Sequence, residues 1–145
     1  MRIIRVFPRR TSLTPNDDMA FVGEPPLMRP EADEVHVSVT FSWDVRYAEH
    51  LQDAWNQYYP TVRIGGPALW NKGEGFTPGM YVKQGVTFTS RGCPNHCNFC
   101  LVPEREGRLR EIYAFPRGHI IQDNNFLACS PNHRWKVYAM LNKQE

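Results

Sequence analysis

Cys93-Pro94-Asn95-His96-Cys97-Asn98-Phe99-Cys100 places three cysteines in one short stretch at the spacing C-x3-C-x2-C. No other segment constrains the fold as strongly, because thiolates that converge on one metal group require a tight loop whatever surrounds it. Three sulfur donors can grip three corners of a four-iron, four-sulfur (4Fe-4S) cube and leave the fourth iron open for chemistry, whereas four protein ligands make a closed site. Zinc is the competing occupant, since it also takes cysteines at short spacings, with His96 or the distant Cys129 as a fourth ligand. Structural zinc sites usually pair two knuckles, and this chain has one three-cysteine knuckle, which favours the cluster. A disulfide framework is not expected: three cysteines so close cannot all pair, and no secretory signal precedes them. Thiols kept as ligands imply a reducing compartment, so a cytoplasmic protein is expected.

Upstream, Gly85-Val86-Thr87-Phe88-Thr89-Ser90 alternates as a strand does and runs through Arg91-Gly92 into Cys93. The ligands are therefore expected on a loop that follows one strand. At this point the chain resembles the radical S-adenosylmethionine (SAM) superfamily, in which a C-x3-C-x2-C loop follows the first barrel strand and an aromatic residue commonly precedes the last cysteine. Phe99 occupies that place. The resemblance implies that Cys93, Cys97 and Cys100 hold a 4Fe-4S cluster whose open iron is chelated by the amino and carboxylate groups of SAM. It further implies electron transfer from the cluster, cleaving the sulfonium to a 5′-deoxyadenosyl radical, together with an external electron donor and a substrate that the sequence does not specify. Phe99 is expected either against the adenine or as a core aromatic beside the cluster.

Two further stretches extend the resemblance. Similar radical SAM proteins carry Val-Pro-x-x-Glu-Gly after the cysteines and Asp-Asn-Asn at the close of the second strand; here these are Val102-Pro103-Glu104-Arg105-Glu106-Gly107 and Asp123-Asn124-Asn125. Polar groups at that strand end commonly bind the amino group of SAM in the superfamily, a role that passes to Asp123, Asn124 and Asn125 as an expectation. Position alone also makes them candidates, because ligands of parallel α/β folds sit at the carboxyl ends of strands, and aspartate accepts from an amine while asparagine both accepts and donates. The same three residues equally make an ordinary turn and helix entry.

Toward the N-terminus the pattern is that of a small α/β unit. A short strand is expected at Ile3 to Phe7, followed by loop through Pro15-Asn16-Asp17-Asp18, Pro25-Pro26 and Pro30. Glu34 to Phe41 sets Val35, Val37, Val39 and Phe41 against His36, Ser38 and Thr40, a strand with one apolar face. Ser42 or Asp44 can cap a helix to about Tyr58 whose face is Tyr47, Leu51, Trp55 and Tyr58, and Pro60 stops it. Thr61-Val62-Arg63-Ile64 then begins a second strand that ends in Gly65-Gly66-Pro67, completing a βαβ unit. This looks like the small Rossmann-type domain that precedes the barrel in cobalamin-dependent radical SAM proteins. The D-x-H-x-x-G signature of cobalt-binding histidine is absent and His36, His50 and His119 lie in no such context, so cobalamin binding is not expected. Gly65 and Gly66 read as a tight turn, since a glycine pair without G-x-G-x-x-G is weak evidence for phosphate.

The expected fold class is α/β: a Rossmann-like domain over 1–68, a linker over 69–84 with Gly73, Gly75, Pro78 and Gly79, and the first βα units of an incomplete barrel over 85–145. In that last part, 102–112 is too charged for a full helical face, a strand spans His119 to Gln122, and Ser130-Pro131 opens a helix to about Asn142 with Trp135, Val137, Tyr138 and Leu141 available for packing. A whole (β/α)8 barrel takes roughly 200 residues or more, against 145 in this chain. A truncated, split or fragmentary radical SAM protein is therefore expected, and the alternative is a non-catalytic iron-sulfur or zinc module. No apolar run is long enough for a membrane span. The net charge of +2 carries no basic stripe interleaved with aromatics, so nucleic acid is not indicated; Arg105, Arg108 and Arg110 read as a solvated face or a subsite for phosphate or carboxylate.

Overall fold

Alternation in Ile3-Ile4-Arg5-Val6-Phe7 and Glu34-Val35-His36-Val37-Ser38 sends every second side chain to one side of a pleated sheet. In the computed structural model, which describes residues 1–69 and 77–143, both segments are strands. The chain divides into two units, Met1–Asn71 and Lys72–Glu145. Each is mixed α/β with parallel strand pairing. Among the described residues no helix is long and apolar enough to cross a membrane.

The first unit contains β1 (Ile3–Phe7), β2 (Ala20–Val22), β3 (Glu34–Ser38), α1 (Val45–Asn56) and β4 (Val62–Gly65), with the strands ordered β2-β1-β3-β4 and all parallel. Register pairs Ile4 with Val35 and Val6 with Val37, so the apolar rows meet on one face. There Ile4, Val6, Val35, Val37 and Val39 join Ala48, Leu51 and Trp55 of α1 in one buried cluster. Helix α1 packs on β3 and β4. Across the sheet the other row, Arg5, His36 and Arg63 in register, is polar. Its charges are paired: Arg5 with Asp17, His36 with Glu34 at 2.9 Å, Arg63 with Glu34 at 3.2 Å. Parallel strands covered on both faces read as continuous apolar runs; these alternate because only one face is apolar.

Several details differ from the sequence reading, each for a local reason. The buried face of α1 is Ala48, Leu51, Ala54 and Trp55. Tyr47 is 41% and Tyr58 51% exposed, because the helix ends at Asn56, before Tyr58, and the alanines lie on the side that faces the sheet. Asp44 stands at the N-cap position of α1 but makes no cap hydrogen bond. Its buried carboxylate instead accepts two bonds of 2.6 Å from the Arg9 guanidinium. Strand β2 lies where a loop was expected; its apolar Ala20-Phe21-Val22 was outweighed by the neighbouring Asp17-Asp18 turn signal. Gly66 has a φ of +121°, and a Cβ there would stand 2.3 Å from the carbonyl oxygen of Val39, so Gly65-Gly66-Pro67 is a turn packed on backbone. Trp55 Nε1 donates to the Gly23 carbonyl at 3.1 Å and Tyr59 Oη to that of Pro30 at 2.7 Å, tying the proline-rich segment down.

The second unit contains β5 (Gly85–Thr87), β6 (Ser90–Arg91), α2 (Val102–Arg105), β7 (Arg110–Glu111), β8 (Gly118–Ile121) and α3 (Pro131–Leu141). Strands β5 and β8 pair in parallel and β6 and β7 antiparallel. Gly85 to Ser90 is therefore not one continuous strand. Chain direction changes partner at Phe88-Thr89: Gln122 N–H donates to the Thr87 carbonyl, whereas Ile112 N–H donates to that of Thr89, both at 2.9 Å. Of the linker assigned to 69–84, residues 70–76 lie outside the described residues, while a Cβ on Gly79 would stand 2.5 Å from Pro116 Cγ within this unit. Ser130 Oγ accepts the His133 N–H at 3.3 Å and caps α3, with Pro131 in the first turn. Val137 and His133 are its buried residues. Trp135 is 72% exposed and meets the Tyr138 ring edge-on, with 6.2 Å between centroids, so it packs on the helix surface and not in the core. The interior of this unit is mostly polar: Thr87, Thr89 and Ser90 are fully buried, beside Val86, Cys129 and Val137.

Candidate metal centre

A buried polar strand end needs acceptors for its donors, and the segment after β8 supplies them in sequence order. Asp123 takes three bonds, from the Thr89 N–H at 2.7 Å, the Thr89 hydroxyl at 2.5 Å and the Ser90 hydroxyl at 2.8 Å. Asn124 Oδ1 accepts the Gly92 N–H at 2.9 Å. Asn125 Nδ2 donates to Cys93 Sγ at 3.3 Å. Successive residues of one segment thus bind successive positions of the other, ending on the first cysteine. The Asp123 carboxylate, with about four lone-pair directions, retains one for a further donor.

Between β6 and α2 the cysteine loop carries no regular structure. Gly92 starts it with a φ of +80°; a Cβ there would stand 2.3 Å from the Arg108 carbonyl oxygen, so the loop's first residue lies against the chain that leaves α2. The two ends are joined by the Cys93 N–H, which donates to the Gly107 carbonyl at 3.4 Å, and by a two-pronged ion pair of Arg91 with Glu106 whose side chains are 13% and 10% exposed. Inside the loop the Cys100 N–H closes a turn onto the Cys97 carbonyl at 2.9 Å. An open cleft of about 400 Å³ borders it, lined by Pro94, His96, Arg108 and Leu109.

All four cysteines are free thiols: Cys97 is exposed, Cys93 and Cys100 are half-buried, and Cys129 is buried. Burial pushes the Cys129 thiol up from its ordinary pKa, against a lowering hydrogen bond with Ser90. Cys129 is thus a small interior side chain. Phe99 is 91% exposed, which removes the expectation that it is a core aromatic and leaves its ring open to a ligand. Cys93, Cys97 and Cys100 share a loop, yet among the described residues no three His, Cys, Asp or Glu side chains are gathered closely enough to hold a metal ion. In chemistry the donor set fits an iron-sulfur or other soft-metal group: three free thiols on a loop without strand or helix bonds to break, one already receiving an N–H.

Sequence reasoning missed the role of Thr89, Ser90 and Gly92 as partners of Asp123 and Asn124, and the Arg91–Glu106 clamp. The signals were Arg91-Gly92 immediately before Cys93 and Glu106-Gly107 closing the Val-Pro-x-x-Glu-Gly stretch. No family model matches the chain, and neither a curated protein nor a solved structure is detectably similar to it.

Proposed function

We propose that this chain is a radical SAM protein, with Cys93, Cys97 and Cys100 holding a 4Fe-4S cluster and SAM bound at its open iron. The observation that carries this reading is the loop: three free thiols at C-x3-C-x2-C spacing on the loop that follows β6, held at Cys93 by Asn125 from the segment after β8. When bound, the cluster supplies one electron for reductive cleavage of SAM to a 5′-deoxyadenosyl radical, which acts on a substrate of unspecified class. Asp123 fixes Thr89 and Ser90 and keeps one acceptor direction for the amino group of SAM. Asn124 holds the Gly92 turn, and the exposed Phe99 ring offers a stacking surface for adenine. Strands β5 and β8, parallel neighbours separated in sequence by β6, the cysteine loop, α2 and β7, are read as the first two strands of a barrel, and the first unit as a Rossmann-like βαβ domain without cobalamin. Four free thiols suit the cytoplasm, where an external low-potential electron donor would serve the cluster.

Anaerobic reconstitution with iron and sulfide tests the reading. About four irons and four sulfides per chain are expected, with an electron paramagnetic resonance spectrum of the reduced protein that changes when SAM is added. Cluster assembly unaffected by Cys97→Ala would overturn it. A second reading rests on the polar interior of the second unit, which gains from a structural metal because small apolar cores stabilise poorly. One zinc per chain and no sulfide in protein purified without oxygen would favour that non-catalytic module.

A further inference from the structure

Within the cysteine loop one turn is closed by a backbone bond: the Cys100 N–H donates to the Cys97 carbonyl at 2.9 Å, with Asn98 and Phe99 as the central residues. A turn of this kind holds its first and fourth Cα atoms within about 7 Å, and a disulfide spans Cα separations of about 4.4–6.8 Å. Cys97 and Cys100 are therefore a pair whose backbone already stands in the range of a bridge, and both are free thiols. Cys93 lies outside that turn. Its N–H donates to the Gly107 carbonyl at 3.4 Å and its sulfur accepts from Asn125 Nδ2 at 3.3 Å, which tie it to other segments of the chain. Exchange with an outside disulfide needs an accessible sulfur. Cys97 is exposed and so is Phe99 in the same turn, whereas Cys129 is buried. The segment carries no helix or strand bonds that a side-chain rotation would break.

We propose that Cys97 and Cys100 form a redox-active dithiol, oxidised to an internal disulfide by a low-molecular-weight disulfide of the glutathione type. The exposed Cys97 thiolate attacks one sulfur of glutathione disulfide, whose S–S bond breaks and releases one glutathione thiolate. The Cys100 thiolate then attacks the Cys97 sulfur of the mixed disulfide, and the second glutathione leaves. Two protein thiols give up two protons and two electrons, and one glutathione disulfide becomes two glutathiones. The bond takes up two of the three sulfurs assigned above to a cluster, so the full chain is tested reduced and stripped of metal by a chelator, and the outcome does not depend on the cluster reading. After equilibration with mixtures of reduced and oxidised glutathione and an acid quench, free thiols are capped with iodoacetamide. The tryptic peptide 92–105, which carries all three loop cysteines, is then sequenced by mass spectrometry. Capping is expected to be lost at Cys97 and Cys100 together, retained at Cys93, and restored at both by dithiothreitol. Cys93→Ser should oxidise at the same glutathione ratio as the unmodified chain. A dominant pairing that includes Cys93, or glutathione adducts with no internal bond, overturns the proposal, and this readout on the unmodified chain requires no variant to fold. A Cys97→Ser chain that bridges Cys93 to Cys100 as readily as the unmodified chain bridges Cys97 to Cys100 also overturns it, since the turn would then not select the pair.

Discussion

Replacing Asp123 by alanine removes the acceptor of three donors, all on the two fully buried residues Thr89 and Ser90, whose alternatives differ. The Thr89 N–H cannot turn away, and a buried donor left without a partner costs about 1–3 kcal/mol. Hydroxyls can rotate, and Ser90 has a second partner in the Cys129 thiol, so their loss falls below the about 1.5–3 kcal/mol of a charge-assisted bond each. The sum is about 3–5 kcal/mol, large against the about 4–11 kcal/mol that a unit of this length carries at the usual stability per residue. Asp123→Asn keeps an oxygen for the Thr89 N–H and lets the hydroxyls accept instead of donate, and should cost about 1–2 kcal/mol. Hydrogen exchange followed by mass spectrometry on peptides covering 85–91 and 118–123 reads the difference. Asp123→Ala should lower protection there by about a hundredfold or more, at tenfold per 1.4 kcal/mol, and Asp123→Asn by about tenfold. A loss under about threefold for the alanine variant, or equal losses for both, would refute the argument that acceptor geometry at Asp123 holds the strand ends together.

Two further outcomes follow from the same unit. Gly92→Ala combines a left-handed backbone with a Cβ set 2.3 Å from the Arg108 carbonyl oxygen; the conformation alone costs about 1–2 kcal/mol, and urea denaturation should show a loss of at least that size, with a neutral result counting against the close approach. Glu111 is held below the usual carboxylate range, first by the Ser130 N–H and then by the Ser130 hydroxyl and His133; since the folded group is the stronger acid, its contribution is present above the unfolded glutamate value of about 4.3 and fades as pH falls through the folded one. Denaturation midpoints measured from pH 6 down to acid should therefore drop less steeply in Glu111→Gln than in the unmodified chain.

How much was legible in the residues can be judged element by element. Period-two patterns at Ile3–Phe7 and Glu34–Ser38, and the Ser130-Pro131 entry to α3, reappear as strands and a capped helix because each depends on neighbours within a few residues. Short strands such as Ser90–Arg91 and Arg110–Glu111 carry no period of their own and exist through their partner alone. Asp44 illustrates the same limit: a good helix cap by type, it is drawn to Arg9, 35 residues away.

For the cysteines, spacing by itself determined that three soft donors share one loop, since that is a property of consecutive residues. Tertiary structure decided the partners: that Asp123 closes on Thr89 and Ser90, Asn124 on Gly92, and Asn125 on Cys93 sulfur, across separations of 32 to 34 residues. A side chain's chemistry states what it can bind, but which group it meets is set by the parallel pairing of β5 with β8, and that pairing is a contact between distant stretches of chain.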